Sequence, residues 1–299
     1  MKKQAFYLLI IVLLASGCLK MDSFLYNPRD LTEYQYQNQT TVNWVWDHPT
    51  DLETPDDWWI PFTVTSTVPG ESSSEIIHAV YIGDTSRIAT DTVIVFCHGN
   101  STHIDAYVPW LVLLANVGGL GRYPVVAMDY RGYGLSTGTP SEEGMYADVD
   151  ACLGWLADRG LTGDRLLIYG ESMGTAPAAE LTANPRTLDP GWLVLEAPFA
   201  SAEMMGQSST HLGMPGGFFT QLLIDNAEEI KKVDQPFMWI HGTDDDFLDF
   251  EEHGQAVWNN YRGSRGVAVP VEGARHSDPP FVYGFDNYMT TLADFLQDN

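Results

Sequence analysis

The run Leu166-Leu167-Ile168-Tyr169-Gly170-Glu171-Ser172-Met173-Gly174-Thr175-Ala176 constrains this chain more than any other stretch. A short apolar segment of β character enters it, and Ala176, Ala178, Ala179 and Leu181 leave it as a helix-forming run. The reading is strand, sharp turn, helix, with Ser172 at the apex. Such a turn holds the serine in a strained backbone conformation, and the flanking glycines keep Cβ atoms away from the crossing backbones. The hydroxyl is then exposed, and the Met173 amide N–H faces the same space. That pairing offers a nucleophile beside an oxyanion donor.

Strands and helices alternate around this turn. Residues 58–67 and 75–83 read as two strands of an antiparallel meander joined by Pro69-Gly70. Strands follow at 92–97, 124–130, 192–196, 237–241 and 267–271, with helices near 107–117, 142–159, 251–261 and 281–296. Met145, Val149, Cys152 and Leu156 recur at helical spacing along one face. The expected class is α/β: a mostly parallel sheet covered by helices on both faces, with ligands beyond the carboxyl ends of the strands. The interval 199–226 is irregular but markedly apolar (Met204, Met205, Leu212, Met214, Phe218, Phe219, Leu222, Leu223), and suits either a small lid or one or two core helices.

The start of the chain reads as a targeting segment. Lys2 and Lys3 precede an apolar stretch at 5–14, then Ala15-Ser16-Gly17 and Cys18. Ten apolar residues in a helix reach about 15 Å, half of a hydrocarbon core of about 30 Å, which suits a secretory signal peptide rather than a spanning helix. Small residues directly before a cysteine resemble the bacterial lipoprotein box, which would make Cys18 the lipidated first residue of an exported chain held on a cell-envelope membrane. An ordinary cleaved signal with an incidental cysteine is the alternative. The expected organisation is therefore a signal at 1–17, an anchor, tether and edge strand (containing Trp44 and Trp46) at 18–57, and one α/β domain at 58–299. The formal net charge of −25 argues against nucleic acid as a partner. Cys97 and Cys152 read as small core residues, and the histidines and cysteines lack ligand spacing, so neither metal nor cofactor is expected.

An activated serine needs a base to take its proton, and a basic histidine needs an acid to fix its tautomer. On a fold of this kind the chain order is serine, acid, histidine. The strand at 237–241 runs into Gly242-Thr243-Asp244-Asp245-Asp246, leaving three adjacent carboxylates eligible. Glu196, ending the preceding strand, is a conceivable substitute that better suits a hydrogen-bonding place beneath the site. Only His253 and His276 follow the aspartates. His253 falls in a predicted helix, where a surface position is expected; His276, on a loop after the last strand, is the expected base. The loop His98-Gly99-Asn100-Ser101 is placed to give the second oxyanion donor, with Asn100 preferred over Ser101, and His98 is expected to orient that loop.

Together these residues resemble the α/β-hydrolase superfamily over nearly all of 92–296. Val95-Phe96-Cys97-His98-Gly99-Asn100, Asp129-Tyr130-Arg131-Gly132-Tyr133-Gly134-Leu135-Ser136, Leu195-Glu196-Ala197-Pro198-Phe199 and His241-Gly242-Thr243-Asp244-Asp245 are similar to a small, largely cap-less branch that includes eukaryotic membrane-associated depalmitoylases. Phe247 departs from it, standing where the branch more often has valine. The resemblance implies Ser172 as nucleophile, Asp245 as acid and His276 as base. It implies an ester or thioester hydrolase working through an acyl-enzyme, with an acyl lipid or small ester as substrate. A serine peptidase on the same three residues and a non-catalytic ligand-binding envelope protein are the rival readings.

Overall fold

The computed structural model describes residues 25–36, 52–210 and 220–297. The expected signal, Cys18 and the Trp44–Trp46 stretch lie outside the described residues. The centre is an eight-stranded sheet. Its strands are β1 (Trp59–Ser66), β2 (Glu75–Ile82), β3 (Val93–Cys97), β4 (Val125–Met128), β5 (Leu166–Glu171), β6 (Trp192–Glu196), β7 (Phe237–Gly242) and β8 (Gly266–Val271). They lie in the order β1-β2-β4-β3-β5-β6-β7-β8. β1 pairs antiparallel with β2 and β2 with β4, while every later pairing is parallel.

The order reverses at β3, whose neighbours β4 and β5 carry the chain to opposite sides. Such a switch point opens a crevice beyond the strand carboxyl ends.

The helices are α1 (Val108–Ala115), α2 (Glu142–Ala157), α3 (Thr175–Ala183), α4 (Ala202–Thr210), α5 (Asn226–Glu229), α6 (Gln255–Asn260), α7 (Pro279–Tyr283) and α8 (Phe285–Gln297). The continuous apolar run of β3 is buried on both faces: Val93, Val95 and Cys97 pack into one hydrophobic cluster, Ile94 and Phe96 into the other. Full burial of each such aliphatic or aromatic side chain contributes about 1.5–3 kcal/mol. α2 starts where the Ser141 hydroxyl accepts the Gly144 amide at 3.2 Å, and it buries the stripe Met145, Val149, Cys152 and Leu156. Cys97 and Cys152 are both unpaired and buried.

Three elements depart from expectation. The closing helix is broken into α7 and α8 at Gly284, whose φ of +87° ends the first piece. The helix expected at 251–261 opens with a wide turn of π type at Phe250–Gly254 before α6 begins. Residues 25–36, expected as tether, are docked on the domain. Asn27–Pro28 pairs in parallel with Ser101–Thr102, and Asp30 bridges to Gly134. The interval 199–226 leaves and rejoins the domain side by side, closed by the Ser201–Asp225 bridge and by Ala202 N donating to Ile224 O at 2.9 Å. Within it Met205 and Leu222 pack on the core while Met204 and Leu223 are exposed; Leu212, Met214, Phe218 and Phe219 lie outside the described residues.

Candidate active site

β5 ends in a single turn, Ser172–Gly174, that opens α3. Ser172 sits at the apex with φ +51°, a left-handed conformation that costs a non-glycine residue about 1–3 kcal/mol. The crossing is too tight for side chains on either side. A Cβ on Gly170 would come within 2.4 Å of the Gly174 carbonyl oxygen, and one on Gly174 within 1.9 Å of the Cys97 carbonyl oxygen. The strain is held from below: Thr175 Oγ1 donates to the Ser172 carbonyl at 2.6 Å, and Asn226 Nδ2 donates to Thr175 Oγ1 at 3.1 Å. Met173 buries its side chain, and its amide belongs to the first-turn donors that have no acceptor within the helix.

The ends of β7 and β8 bring two more groups to this apex. Asp245 is buried, whereas its neighbours Asp244 and Asp246 are exposed. His276 Nδ1 donates to Asp245 Oδ2 at 2.8 Å, and His276 Nε2 faces Ser172 Oγ at 2.9 Å. The other carboxylate oxygen, Oδ1, accepts the amides of Phe247 at 2.9 Å and Leu248 at 2.8 Å. His241 Nε2 lies 3.1 Å from Oδ2 and 2.9 Å from the Leu248 carbonyl. Burial pushes the Asp245 carboxyl up, but the bonds from His241, His276 and the Leu248 amide outweigh it and hold the group well below the usual carboxylate range. His276 shows the opposite balance: burial lowers its pKa, while the bond to Asp245 and the charges of Asp245, Glu171 and Glu196 raise it to a net value above the ordinary one. A ring so placed can take a proton from Ser172 and remain oriented as it does so.

A cavity of about 450 Å³ opens over the serine, lined among others by Gly99, Asn100, Ser101, Glu171, Phe247 and His276. Asn100 therefore lies on the wall facing Ser172. His98 is buried, its Nδ1 donating to the Gly99 carbonyl at 2.7 Å and its Nε2 3.3 Å from Asp129 Oδ1. The stretch 129–136 braces the same loop, since Tyr130 donates its hydroxyl to the His98 carbonyl at 2.9 Å. Glu196 stays out of the Ser172–His276 line. It is buried, accepts the hydroxyls of Tyr169 and Tyr288, and burial pushes its pKa up to about 8 against the lowering effect of those two bonds.

His253 corrects the expectation of a surface position. It is buried, and its Nδ1 accepts the Ala200 amide at 3.3 Å, because the wide first turn of the helix rotates it inward. Two site residues escaped the sequence reading. Glu171 is buried beside Gly99, and burial raises its pKa; its place directly before the serine was the available signal. His241, the second donor toward Asp245, entered the sequence reading only as the first residue of the stretch His241-Gly242-Thr243-Asp244-Asp245, with no role of its own.

Comparison with known proteins points to the same fold. The family model described as "Serine aminopeptidase, S33" matches residues 89–214. The alpha/beta hydrolase domain-containing protein 17B of Xenopus laevis is 32% identical over 207 residues, which is 68% of this chain and 65% of that protein. The chain has the α/β-hydrolase fold and is similar to these hydrolases over about two thirds of its length. Its human relative of the same description is 31% identical over 207 residues. The chain thus spans just under two thirds of the length of the curated relatives it matches. Among solved structures, an esterase of Pyrococcus furiosus superposes with a TM-score of 0.64 at 17% identity, covering 91% of this chain and 97% of that one; at such identity the likeness speaks for the fold alone.

Proposed function

We propose that this protein of α/β-hydrolase fold is a serine hydrolase that cleaves carboxylic ester or thioester bonds through an acyl-enzyme. The hydrogen-bonded line from Asp245 through His276 to Ser172, with spacings of 2.8 and 2.9 Å, carries the reading. His276 Nε2 takes the Ser172 proton as Oγ attacks the substrate carbonyl carbon. The amides of Met173 and Asn100 hold the oxyanion, each such donor being worth a factor of roughly 10²–10³ in rate. The imidazolium passes its proton to the departing alcohol or thiol. Water then gives a proton to the same ring as it attacks the acyl group on Ser172, and the ring returns that proton to Ser172 Oγ as the C–O bond breaks and the acid leaves.

An acyl lipid or small ester is the substrate class this reading favours. Phe247 offers an exposed apolar ring beside His276, their centres 5.0 Å apart. The similarity to membrane-associated depalmitoylases supports an acyl substrate, as does the lipoprotein-like start of the chain. On this proposal residues 1–17 are removed, Cys18 is lipidated, and the enzyme is exported to a bacterial cell-envelope membrane. The stretch from Cys18 to Asn27 spans at most about 30 Å when extended, which keeps the cavity close to that membrane.

A serine peptidase on the same residues is the second reading, favoured by the name of the matching family model. Labelling by a fluorophosphonate probe tests the shared chemistry: it should occur in the wild type, vanish in Ser172→Ala and collapse in His276→Ala. Turnover of p-nitrophenyl esters from acetate to palmitate, set against aminoacyl p-nitroanilides, separates the two substrate classes. Anilide turnover exceeding ester turnover would overturn the esterase assignment. No labelling of the folded wild type would overturn the hydrolase reading itself.

A further inference from the structure

The stretch expected to be a passive tether reaches the most sensitive loop of the site. Asn27 N donates to the Asn100 carbonyl at 3.0 Å, and Arg29 N donates to the Thr102 carbonyl at 3.4 Å. The Asn100 carbonyl also accepts the Tyr133 hydroxyl at 3.0 Å, and the oxygen of that hydroxyl in turn accepts the Asn27 amide at 3.2 Å. Asn27, Asn100 and Tyr133 thus close a three-membered hydrogen-bonded ring on the back of the loop. Asn27 and Arg29 also line the cavity itself.

A second attachment follows a few residues on. The Tyr34 hydroxyl donates to Asp129 Oδ2 at 2.6 Å and accepts the Leu135 amide at 3.1 Å. The other oxygen of this fully buried carboxylate accepts the Ile104 amide at 2.8 Å and lies 3.3 Å from His98 Nε2. This side chain therefore anchors the Ile104 end of the 98–104 loop and borders His98 at the other end, and Tyr34 fixes it from outside. Gln35 N adds a bond to Asp105 Oδ2 at 2.7 Å, and the Tyr34 and Tyr36 rings stack 4.9 Å apart. Between the two ends, Thr102 is held at φ +70°, a left-handed conformation unusual for a β-branched residue. Such a conformation persists only where its surroundings over-determine it.

We infer that residues 27–35 are a clamp built into the active site, and that Tyr34, acting through Asp129, positions the loop whose Asn100 amide receives the oxyanion. The inference rests on the serine-hydrolase reading above. The clamp belongs to the cavity wall and to the geometry of the transition state. It also joins that geometry, through the chain itself, to whatever holds the N-terminal end.

Tyr34→Phe in the full chain tests it, since it removes only the hydroxyl that joins Asp129 to Leu135. The expected result is a loss of about ten-fold or more in kcat on p-nitrophenyl acetate, with KM within about two-fold of wild type. The second-order rate of fluorophosphonate labelling should fall by the same factor, because phosphonylation also develops charge in the oxyanion site. Asn27→Pro, which deletes the amide reaching Asn100, should give the same kcat-selective loss from the other attachment. Trp155→Leu serves as a stability control; this ring stacks on Phe62 of β1 at 3.9 Å. The inference is overturned if both clamp variants keep kcat within about two-fold of wild type. It is equally overturned if Trp155→Leu reproduces their kcat loss at an equal loss of Tm. A folded wild type inert toward ester and probe would instead bring down the hydrolase reading, and the clamp with it.

Discussion

Replacing Asp245 by asparagine keeps the shape of the side chain and removes its charge, so the cost can be worked from its contacts. The two carboxylate oxygens have separate duties. Oδ1 accepts the Phe247 and Leu248 amides, while Oδ2 faces His276 Nδ1 and His241 Nε2. An asparagine that keeps its oxygen on the amides must turn its NH₂ toward His276. The ring then has to carry its proton on Nε2, pointing at Ser172, and the serine has no base; a wrong tautomer of this kind costs about 10⁴ in kcat. The reverse orientation restores an acceptor for His276 but aims the NH₂ at two amide donors, one buried and one part-buried. Each donor left unsatisfied costs about 1–3 kcal/mol, together about 2–6 kcal/mol, or roughly 30-fold to 10⁴-fold at 1.36 kcal/mol per factor of ten. The protein takes the cheaper orientation, so kcat on a p-nitrophenyl ester should fall between about 30-fold and 10⁴-fold with KM little changed. The residual activity should also move along the pH axis. Asp245 raises the His276 pKa, so the acid limb of the wild-type profile lies above the ordinary histidine value and should shift to lower pH in the variant. Single-turnover rates across pH 5–9 read both effects. A loss below about ten-fold, an acid limb that moves upward, or an equal loss in Asp246→Asn would refute the reasoning.

Other perturbations have equally definite signs. Glu196 holds its proton in the folded state up to a pKa of about 8 and gives it up near 4.3 when unfolded. Its contribution to stability is therefore full at low pH and declines as pH rises from about 4.3 toward 8. Glu196→Gln removes that decline, so its Tm relative to wild type should rise between pH 5 and pH 8; a constant difference in thermal melts would contradict the buried-acid picture. Ser172→Gly and Ser172→Ala should both be inactive, yet the glycine variant should be the more stable of the two by about 1 kcal/mol in urea unfolding, because only alanine keeps a Cβ at φ +51°. Equal stabilities would show that the apex carries no strain. The Glu171 charge is among the influences that raise the His276 pKa, so Glu171→Gln should move the acid limb of kcat/KM to lower pH. An unmoved limb would show that Glu171 is already neutral throughout the range.

What could be read from the chain alone was whatever is local or periodic. The β5 turn and α3 are legible because two glycines, a serine and an alanine-rich run specify them within a dozen residues, and the contact of Gly174 with the Cys97 carbonyl follows from that crossing. The parallel sheet is legible from apolar runs such as Val93–Cys97, which only burial on both faces accommodates. His253 was misplaced because a regular 3.6-residue turn puts it on the solvent side, and a single wide turn at Phe250–Gly254 brings it under Ala200 instead. The three aspartates could not be told apart by composition. They differ in burial, which depends on β7 and β8 lying side by side.

The clamp lay deepest out of sight. Tyr34 and Asp129 are 95 residues apart, Asn27 and Tyr133 are 106 apart, and no spacing rule joins them. A stretch rich in Tyr, Asn, Gln and Pro reads as linker because it lacks a periodic apolar face. Yet the need it meets is polar: the 98–104 loop must hold a carbonyl, a buried carboxylate and a left-handed threonine in one arrangement. Hydrogen bonds from a segment of just this composition can supply that, and apolar packing cannot. Polarity at the edge of an α/β domain can therefore mark a segment that belongs to the active site, and the kcat of Tyr34→Phe decides whether this one does.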